Sequence, residues 1–240
     1  MKFLVLQHEY HEGPGIYGDL AEQKGVQLEF VNVRQKGYRI PAGKELKYFD
    51  AALIMGGSYG ANDNDAEYPS KHQELEFIER FEGPILGHCL GSQLIFHKYG
   101  GVVDKGHLRE CGFYRTALTG DGIKSRIMRG IPSEFMMFHW HGDCLKTPPA
   151  GAVVLAKSAN YDTQAFQIGN RIGILGHPEV READIESLFR FDMKWFSEGN
   201  HQNTREQIMA EAARFCAAMN KHAGIVFDNL VSMVQDKNQA

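Results

Sequence analysis

The sharpest chemical signal in the chain is Gly87-His88-Cys89-Leu90-Gly91. It follows the apolar run Pro84-Ile85-Leu86 and precedes Gln93-Leu94-Ile95-Phe96, which has helical character. Gly-x-nucleophile-x-Gly at a strand-to-helix turn is a nucleophile elbow. Strand and helix crowd at such a turn, so the residues two before and two after the nucleophile must be small. The Cys89 sulfur would stand above the sheet edge. N–H groups at the helix start would favour its thiolate and could hold an oxyanion.

A thiolate nucleophile needs a base, and the base needs an orienting group. Gly176-His177-Pro178-Glu179 supplies the pair. It follows the apolar run Ile172–Leu175, which places His177 at the C-terminal end of a strand, where ligands of open α/β sheets bind. Glu179 can accept the second imidazole N–H and fix the tautomer. Gly56-Gly57-Ser58 closes another apolar run, Ala51–Met55. Paired glycines there let the backbone approach a substrate, so the amides of Gly57 and Leu90 are the expected oxyanion donors. No Gly-Lys-Ser/Thr follows them, which argues against a phosphate loop.

Two histidine groups could be read as metal ligands: His139-Trp140-His141 with Asp143, and His8 and His11 with Glu12. Isolated histidine pairs are more often satisfied polar groups, so the expectation is no metal and no cofactor. Trp140 and Asp143 are expected at a pocket rim or a partner surface.

The elements that must position these residues are legible as repeats. Phe3–Leu6, Val26–Val33, Ala51–Met55 and Pro84–Leu86 read as strands. Between and after them, the segment from Ile16 to Gly25, Pro69–Phe81 and Ser92–Tyr99 read as helices. Alternating strands and helices predict a parallel sheet covered on both faces. From Gly101 to about Ile174, short apolar runs separated by turn signals predict partly antiparallel strands: Thr116–Leu118, Phe135–Phe138, Val153–Ala156, Ala165–Ile168 and Ile172–Leu175. Gly169-Asn170 is a two-residue hairpin, and Gly120–Gly122 a turn. Ala183–Phe196, Thr204–Asn220 and Ile225–Val234 are expected as helices. The expected division is residues 1–198 as the α/β domain and 199–240 as a C-terminal helical extension, with the boundary at Gly199–Asn203.

The 240 residues suit one α/β domain with such an appendage, and 43% hydrophobic and 23% charged residues allow a sizeable core. The formal net charge of −4, with scattered Lys and Arg, argues against a nucleic-acid partner. No apolar run approaches the roughly 20 residues of a membrane span. Met1–Leu6 reads as a first strand rather than a secretory signal. Four cysteines without an export signal point to reduced thiols and the cytoplasm.

The motifs in this order resemble the class I glutamine amidotransferase family, most of all its stand-alone proteins similar to the amidotransferase part of GMP synthase. The matching residues are Gly56-Gly57-Ser58, Gly87 through Gln93, Phe138 through Asp143, Gln164-Ala165-Phe166 and His177-Pro178-Glu179, with Gln7-His8 and Glu12-Gly13-Pro14-Gly15 at the start. The resemblance runs from residue 1 to about 195. It implies a flavodoxin-like open, mostly parallel sheet. It implies Cys89 as nucleophile, His177 as base and Glu179 as its partner. Gln93 and the backbone near Gly57 would contact the substrate, glutamine or another γ-glutamyl amide. Tyr114 falls in the family's substrate-binding strand. Two positions depart from the family: Leu175-Gly176 stands where it usually carries Gln-Phe, and Ser58 where it often carries Pro.

The implied chemistry is acyl transfer from a γ-carboxamide, releasing ammonia. No Ser-Gly-Gly-x-Asp-Ser pyrophosphatase loop is present. The expected acceptor of ammonia is therefore a separate synthetase subunit. Two other readings stay open: a free-standing hydrolase of γ-glutamyl amides or peptides, and a catalytically silent binding protein with this fold.

Overall fold

A computed structural model describes residues 1–237. Nine strands form one sheet in the order β2-β1-β3-β4-β9-β8-β7-β5-β6. The parallel half contains β1 (Lys2–Gln7), β2 (Gln27–Asn32), β3 (Ala51–Ile54), β4 (Ile85–His88) and β9 (Arg171–Ile174). The other half is antiparallel: β5 (Val102–Leu118), β6 (Glu134–Thr147), β7 (Val153–Ser158) and β8 (Ala165–Ile168). Strand β9 belongs to both, pairing parallel with β4 and antiparallel with β8.

Helices cover both faces, as the strand pattern requires. Successive strand residues point to opposite sides. Phe3, Val5, Ala51 and Leu53 face a layer with Tyr17 of α1 (Ile16–Gln23) and Phe227 and Leu230 of α6 (Arg205–Lys237). Leu4, Leu6, Ala52 and Ile54 face the opposite layer, with Phe77 and Ile78 of α2 (Lys71–Arg80) and Leu94 and Ile95 of α3 (Leu90–Lys98). A third cluster joins Phe113, Phe138 and Trp140 of β5 and β6 to Leu188 and Phe189 of α5 (Glu182–Ser197) and to Ile208 and Met219 of α6.

The structure departs from the expected elements in three places. The short middle strands Thr116–Leu118 and Phe135–Phe138 are ends of the long strands β5 and β6. A register shift between Lys105 and Glu110 interrupts their ladder and breaks the period-2 pattern that would have revealed their length. The two C-terminal helices are one, α6, which runs through Gly224 without a break. Its packing on α1 and β1 outweighs the weak helix propensity of one glycine. Gly120–Gly122 is not an open turn but the start of a short helix, α4 (Gly120–Lys124). The Thr119 hydroxyl caps it by accepting from the Gly122 N–H at 2.9 Å. The Gly169-Asn170 hairpin joins β8 to β9 as expected, with Gly169 at φ 56°.

Candidate active site

Cys89 is the only non-glycine residue at positive φ among the described residues, at 46°. It is the N-cap of α3, directly after β4. Its N–H bonds the Ile174 carbonyl of β9 at 3.0 Å, and its carbonyl accepts from Gln93 N–H at 3.0 Å and Ser92 Oγ at 2.7 Å. These bonds hold a conformation that costs about 1–3 kcal/mol for an ordinary side chain. The flanking glycines are sterically required. A Cβ on Gly91 would lie 2.1 Å from the Ile54 carbonyl oxygen, and one on Gly87 would lie 2.6 Å from the Gly91 carbonyl carbon.

His177 follows β9, where its N–H bonds the Phe138 carbonyl of β6 at 2.7 Å. A Cβ at Gly176 would lie 2.8 Å from Met137 Cε and 2.9 Å from the Phe138 oxygen. Glycine before His177 thus lets β6 approach, while Leu175 fills the adjoining core. The departure Leu175-Gly176 therefore fits the packing around this histidine. His177 Nδ1 donates to Glu179 Oε1 at 2.9 Å, and Nε2 has no hydrogen-bond partner among the described residues. Glu179 Oε2 lies 3.4 Å from His88 Nδ1. The Glu179 backbone is fixed as well, since its carbonyl accepts from Ile16 N–H at 2.9 Å.

All these groups are buried, and burial opposes charge. For His177, burial pushes the pKa down, but the Glu179 carboxylate and the Cys89 sulfur outweigh it and hold the value well above the ordinary range. For Glu179, burial pushes up, while the His88 and His177 imidazoles bring it below a usual carboxylate. The Cys89 thiol is pushed up by burial, with the His177 charge pulling the other way. A proton moving from Cys89 to His177 would form a thiolate beside an imidazolium.

Gly57 lines the cleft, and Leu90 packs beside it. Leu90 Cδ2 is 3.3 Å from where a Gly57 Cβ would stand. The Leu90 N–H lies in the first turn of α3 and therefore has no intrahelical acceptor. The Gly56-Gly57 backbone is tied down by His8, whose Nδ1–H donates to the Gly56 carbonyl at 3.1 Å. His8 Nε2 meets Glu74 Oε2 at 2.7 Å, and Ser70 Oγ donates to Glu74 Oε1 at 2.7 Å.

The cleft above Cys89 has a volume of about 610 Å³. It runs from Cys89, Gly57 and Gln93 past His141 to Arg109 and Asn200. The Cys89 sulfur lies 3.8 Å from the Trp140 carbonyl, and the His177 imidazole stands close enough to pull the thiol pKa down. Trp140 and Asp143 line the cleft, as expected of a rim. Glu12 lines it too, and burial raises its carboxyl to about 7 against the pull of His177.

Of the residues named from sequence, Cys89, Gly57 and Gln93 line the cleft, Leu90 adjoins Gly57, and His177 and Glu179 line a smaller pocket with Glu12, His177 close to Cys89. Tyr114 does not line this cleft. Its hydroxyl lies 3.3 Å from Asn203 Nδ2, and its ring packs edge-on to His139. The residue completing the His139–His141 group is Glu110, not the Asp143 carboxylate, which pairs with Lys105 at 2.8 Å. His8 turns to Glu74 instead of joining His11 and Glu12. His11 stacks on Phe191 at 4.4 Å, with Nε2 3.8 Å from Asp192. Sequence reasoning missed Glu74 and Glu110, both charged residues buried far along the chain from their histidine partners.

Fold and site together define an α/β protein with a strand–cysteine–helix elbow at the C-terminal edge of the parallel half of a mixed sheet. Residues 19–194 match the model of the glutamine amidotransferase class-I family, and the chain belongs to that family. It is 32% identical over 143 residues to one of the subunits of a glutamine-hydrolysing GMP synthase of Saccharolobus solfataricus, covering 59% of this chain and 73% of the relative. It is 28% identical over 196 residues to a glutamine amidotransferase-like protein of Salmonella typhimurium, covering 79% and 80%. A crystal structure of a Thermotoga maritima glutamine amidotransferase superposes with a TM-score of 0.85 at 23% identity, covering 96% of this chain and 98% of that one.

Proposed function

We propose that this protein hydrolyses the γ-carboxamide of glutamine through a γ-glutamyl thioester on Cys89. His177 takes the thiol proton, and the thiolate attacks the amide carbon. The Gly57 and Leu90 amides hold the oxyanion, and Gln93 contacts the substrate. His177 gives its proton to the departing nitrogen as the C–N bond breaks, which releases ammonia. Water then attacks the thioester as His177 takes its proton, releasing glutamate and restoring Cys89. Glu179 keeps His177 in the reactive tautomer throughout. The observation that carries this reading is the joint placement of Cys89 at φ 46° and of His177 with Nδ1 committed to Glu179 and Nε2 free.

The ammonia acceptor in this reading is a separate synthetase subunit. The Saccharolobus relative, itself one subunit of a GMP synthase, favours that arrangement. In this reading residues 1–198 form the catalytic unit and 199–240 an extension, whose described helix α6 packs on it. No helix among the described residues is long and apolar enough to cross a membrane, and the four free thiols suit the cytoplasm. A second reading, a free-standing γ-glutamyl peptide hydrolase, is favoured by the cleft, which continues well beyond Cys89 to Arg109 and Asn200. Purified protein given glutamine and a panel of γ-glutamyl dipeptides separates the two. Glutaminase activity that rises with a synthetase subunit supports the amidotransferase. Faster turnover of dipeptides than of glutamine without any partner supports the hydrolase. Turnover of neither, with or without a synthetase, overturns both.

A further inference from the structure

We propose that Glu110, His139 and His141 form a binding site for a divalent transition-metal ion of the zinc class, built on β5 and β6 beside the catalytic cleft. Glu110 Oε2 lies 3.4 Å from His139 Nδ1 and 3.2 Å from His141 Nε2, and the two nitrogens are 3.2 Å apart. Ligands about 2.0–2.1 Å from a tetrahedral zinc are separated by about 3.3 Å. The three atoms therefore form one triangular face of such a coordination shell. None of the three side chains is more than 1% exposed.

The outer partners of both histidines can take the single hydrogen of each neutral ring, which makes the inner atoms acceptors. His141 Nδ1 faces the Asp143 carbonyl at 3.0 Å, which can only accept, so Nδ1 carries the hydrogen. His139 Nε2 faces Thr116 Oγ1 at 3.5 Å, a position from which the hydroxyl oxygen can take its hydrogen. In neutral imidazoles with these tautomers, Nδ1 of His139 and Nε2 of His141 present lone pairs to each other and to a carboxylate oxygen. Three acceptors at this spacing repel unless a positive charge stands between them. Metal-bound histidines commonly donate their other N–H to a carbonyl or similar group. Glu110 is likewise held from outside: its Oε1 accepts from Ser158 Oγ at 3.0 Å and Asn160 Nδ2 at 2.9 Å, and its Oε2 from Gln164 Nε2 at 2.5 Å.

The site has a route and a neighbour. His141 lines the cleft, which gives an ion and a water ligand access from that side. Trp140 lies between the two histidines, and its carbonyl is the group 3.8 Å from the Cys89 sulfur. A metal holding both histidines would therefore fix the strand segment against which the cysteine rests.

The competing occupant is a proton shared between His141 and Glu110, and titration separates the two. The test uses the full chain carrying Cys89→Ser, which removes a thiolate–imidazole pair that could take zinc on its own. After chelator treatment, zinc binding is followed by calorimetry, and cobalt(II) binding by its visible spectrum. The proposal predicts one ion per chain and a tetrahedral cobalt spectrum without a thiolate charge-transfer band. Binding should be lost in His139→Gln and Glu110→Gln. Thr116→Val, which removes only the outer partner of His139, should weaken binding about tenfold and serves if the buried substitutions unfold the chain. Absence of binding in a folded chain, or binding unchanged in His139→Gln and Thr116→Val, would overturn it and leave the proton as occupant.

Discussion

The imidazole of His8 and the carboxylate of Glu74 meet at 2.7 Å, with neither side chain exposed to solvent. Sixty-six residues separate them in the chain. The pair joins the end of β1 to α2 and leaves His8 Nδ1–H aimed at the Gly56 carbonyl. Burial alone would lower the His8 pKa, but Glu74 raises it above the ordinary value. The pair is thus an internal clamp on the backbone that presents the Gly57 amide. Glu74→Gln leaves a buried imidazole without its counter-charge and should destabilise the fold by about 3 kcal/mol, read from urea unfolding. It should also lower kcat for glutamine, because the Gly56-Gly57 backbone loses its anchor.

The clamp has a pH signature of definite sign. A histidine whose folded pKa lies above its unfolded value contributes stability below the unfolded pKa, and loses it as pH rises through the folded one. The Glu74→Gln penalty should therefore be largest near pH 6 and shrink toward alkaline pH. Unfolding free energies of both proteins across that range check this, and a pH-independent difference would contradict it.

Glu12 gives a second pH dependence. Its carboxyl is raised to about 7 in the fold, so between its unfolded pKa and about 7 the native state holds a proton that the unfolded chain releases. Stability should fall as pH rises through that window. Glu12→Gln should be about as stable as the parent at pH 4.5 and more stable at pH 8, with a higher Tm there. Equal Tm values at pH 8 would contradict the assignment.

The elbow glycine at 91 admits no side chain. Gly91→Ala places a Cβ against the Ile54 carbonyl of β3, where neither strand nor helix can yield without moving Cys89. It should cost about 3 kcal/mol and slow alkylation of Cys89 by iodoacetamide. Denaturant unfolding and the alkylation rate measure the two effects separately.

In the proposed mechanism Glu179 orients His177 without reaching the substrate. Glu179→Gln should lower kcat on the order of 10³–10⁴-fold with little change in KM, since binding groups stay in place. A change in KM at constant kcat would instead assign Glu179 to substrate binding.

Legibility in the sequence followed the range over which each constraint acts. The elbow was readable because its glycines are required by contacts within one strand–turn–helix unit, and the His177-Pro178-Glu179 pair because its two members are neighbours. Strands β1, β3, β4 and β9 were readable as apolar runs because both faces are buried. The long strands β5 and β6 were not, because the irregular stretch between Lys105 and Glu110 breaks their alternation. The unbroken α6 was hidden by Gly224, whose local cost is outweighed by packing on the sheet. Glu74 and Glu110 could not be paired with His8, His139 and His141 from spacing, since only the fold brings β5 and α2 to those histidines. His139-Trp140-His141 pointed to a cluster but not to its carboxylate: Asp143 is near in sequence, yet it contributes its carbonyl while Glu110 comes from the adjoining strand.

The central claim is that Cys89 is the attacking atom. The direct measurement is release of ammonia and glutamate from glutamine by the parent protein and by Cys89→Ala, with circular dichroism to check that the variant is folded, under conditions where the parent turns over. The proposed mechanism predicts a loss of at least about 10³-fold in kcat for Cys89→Ala. Ammonia release by Cys89→Ala at the parent's rate would contradict it.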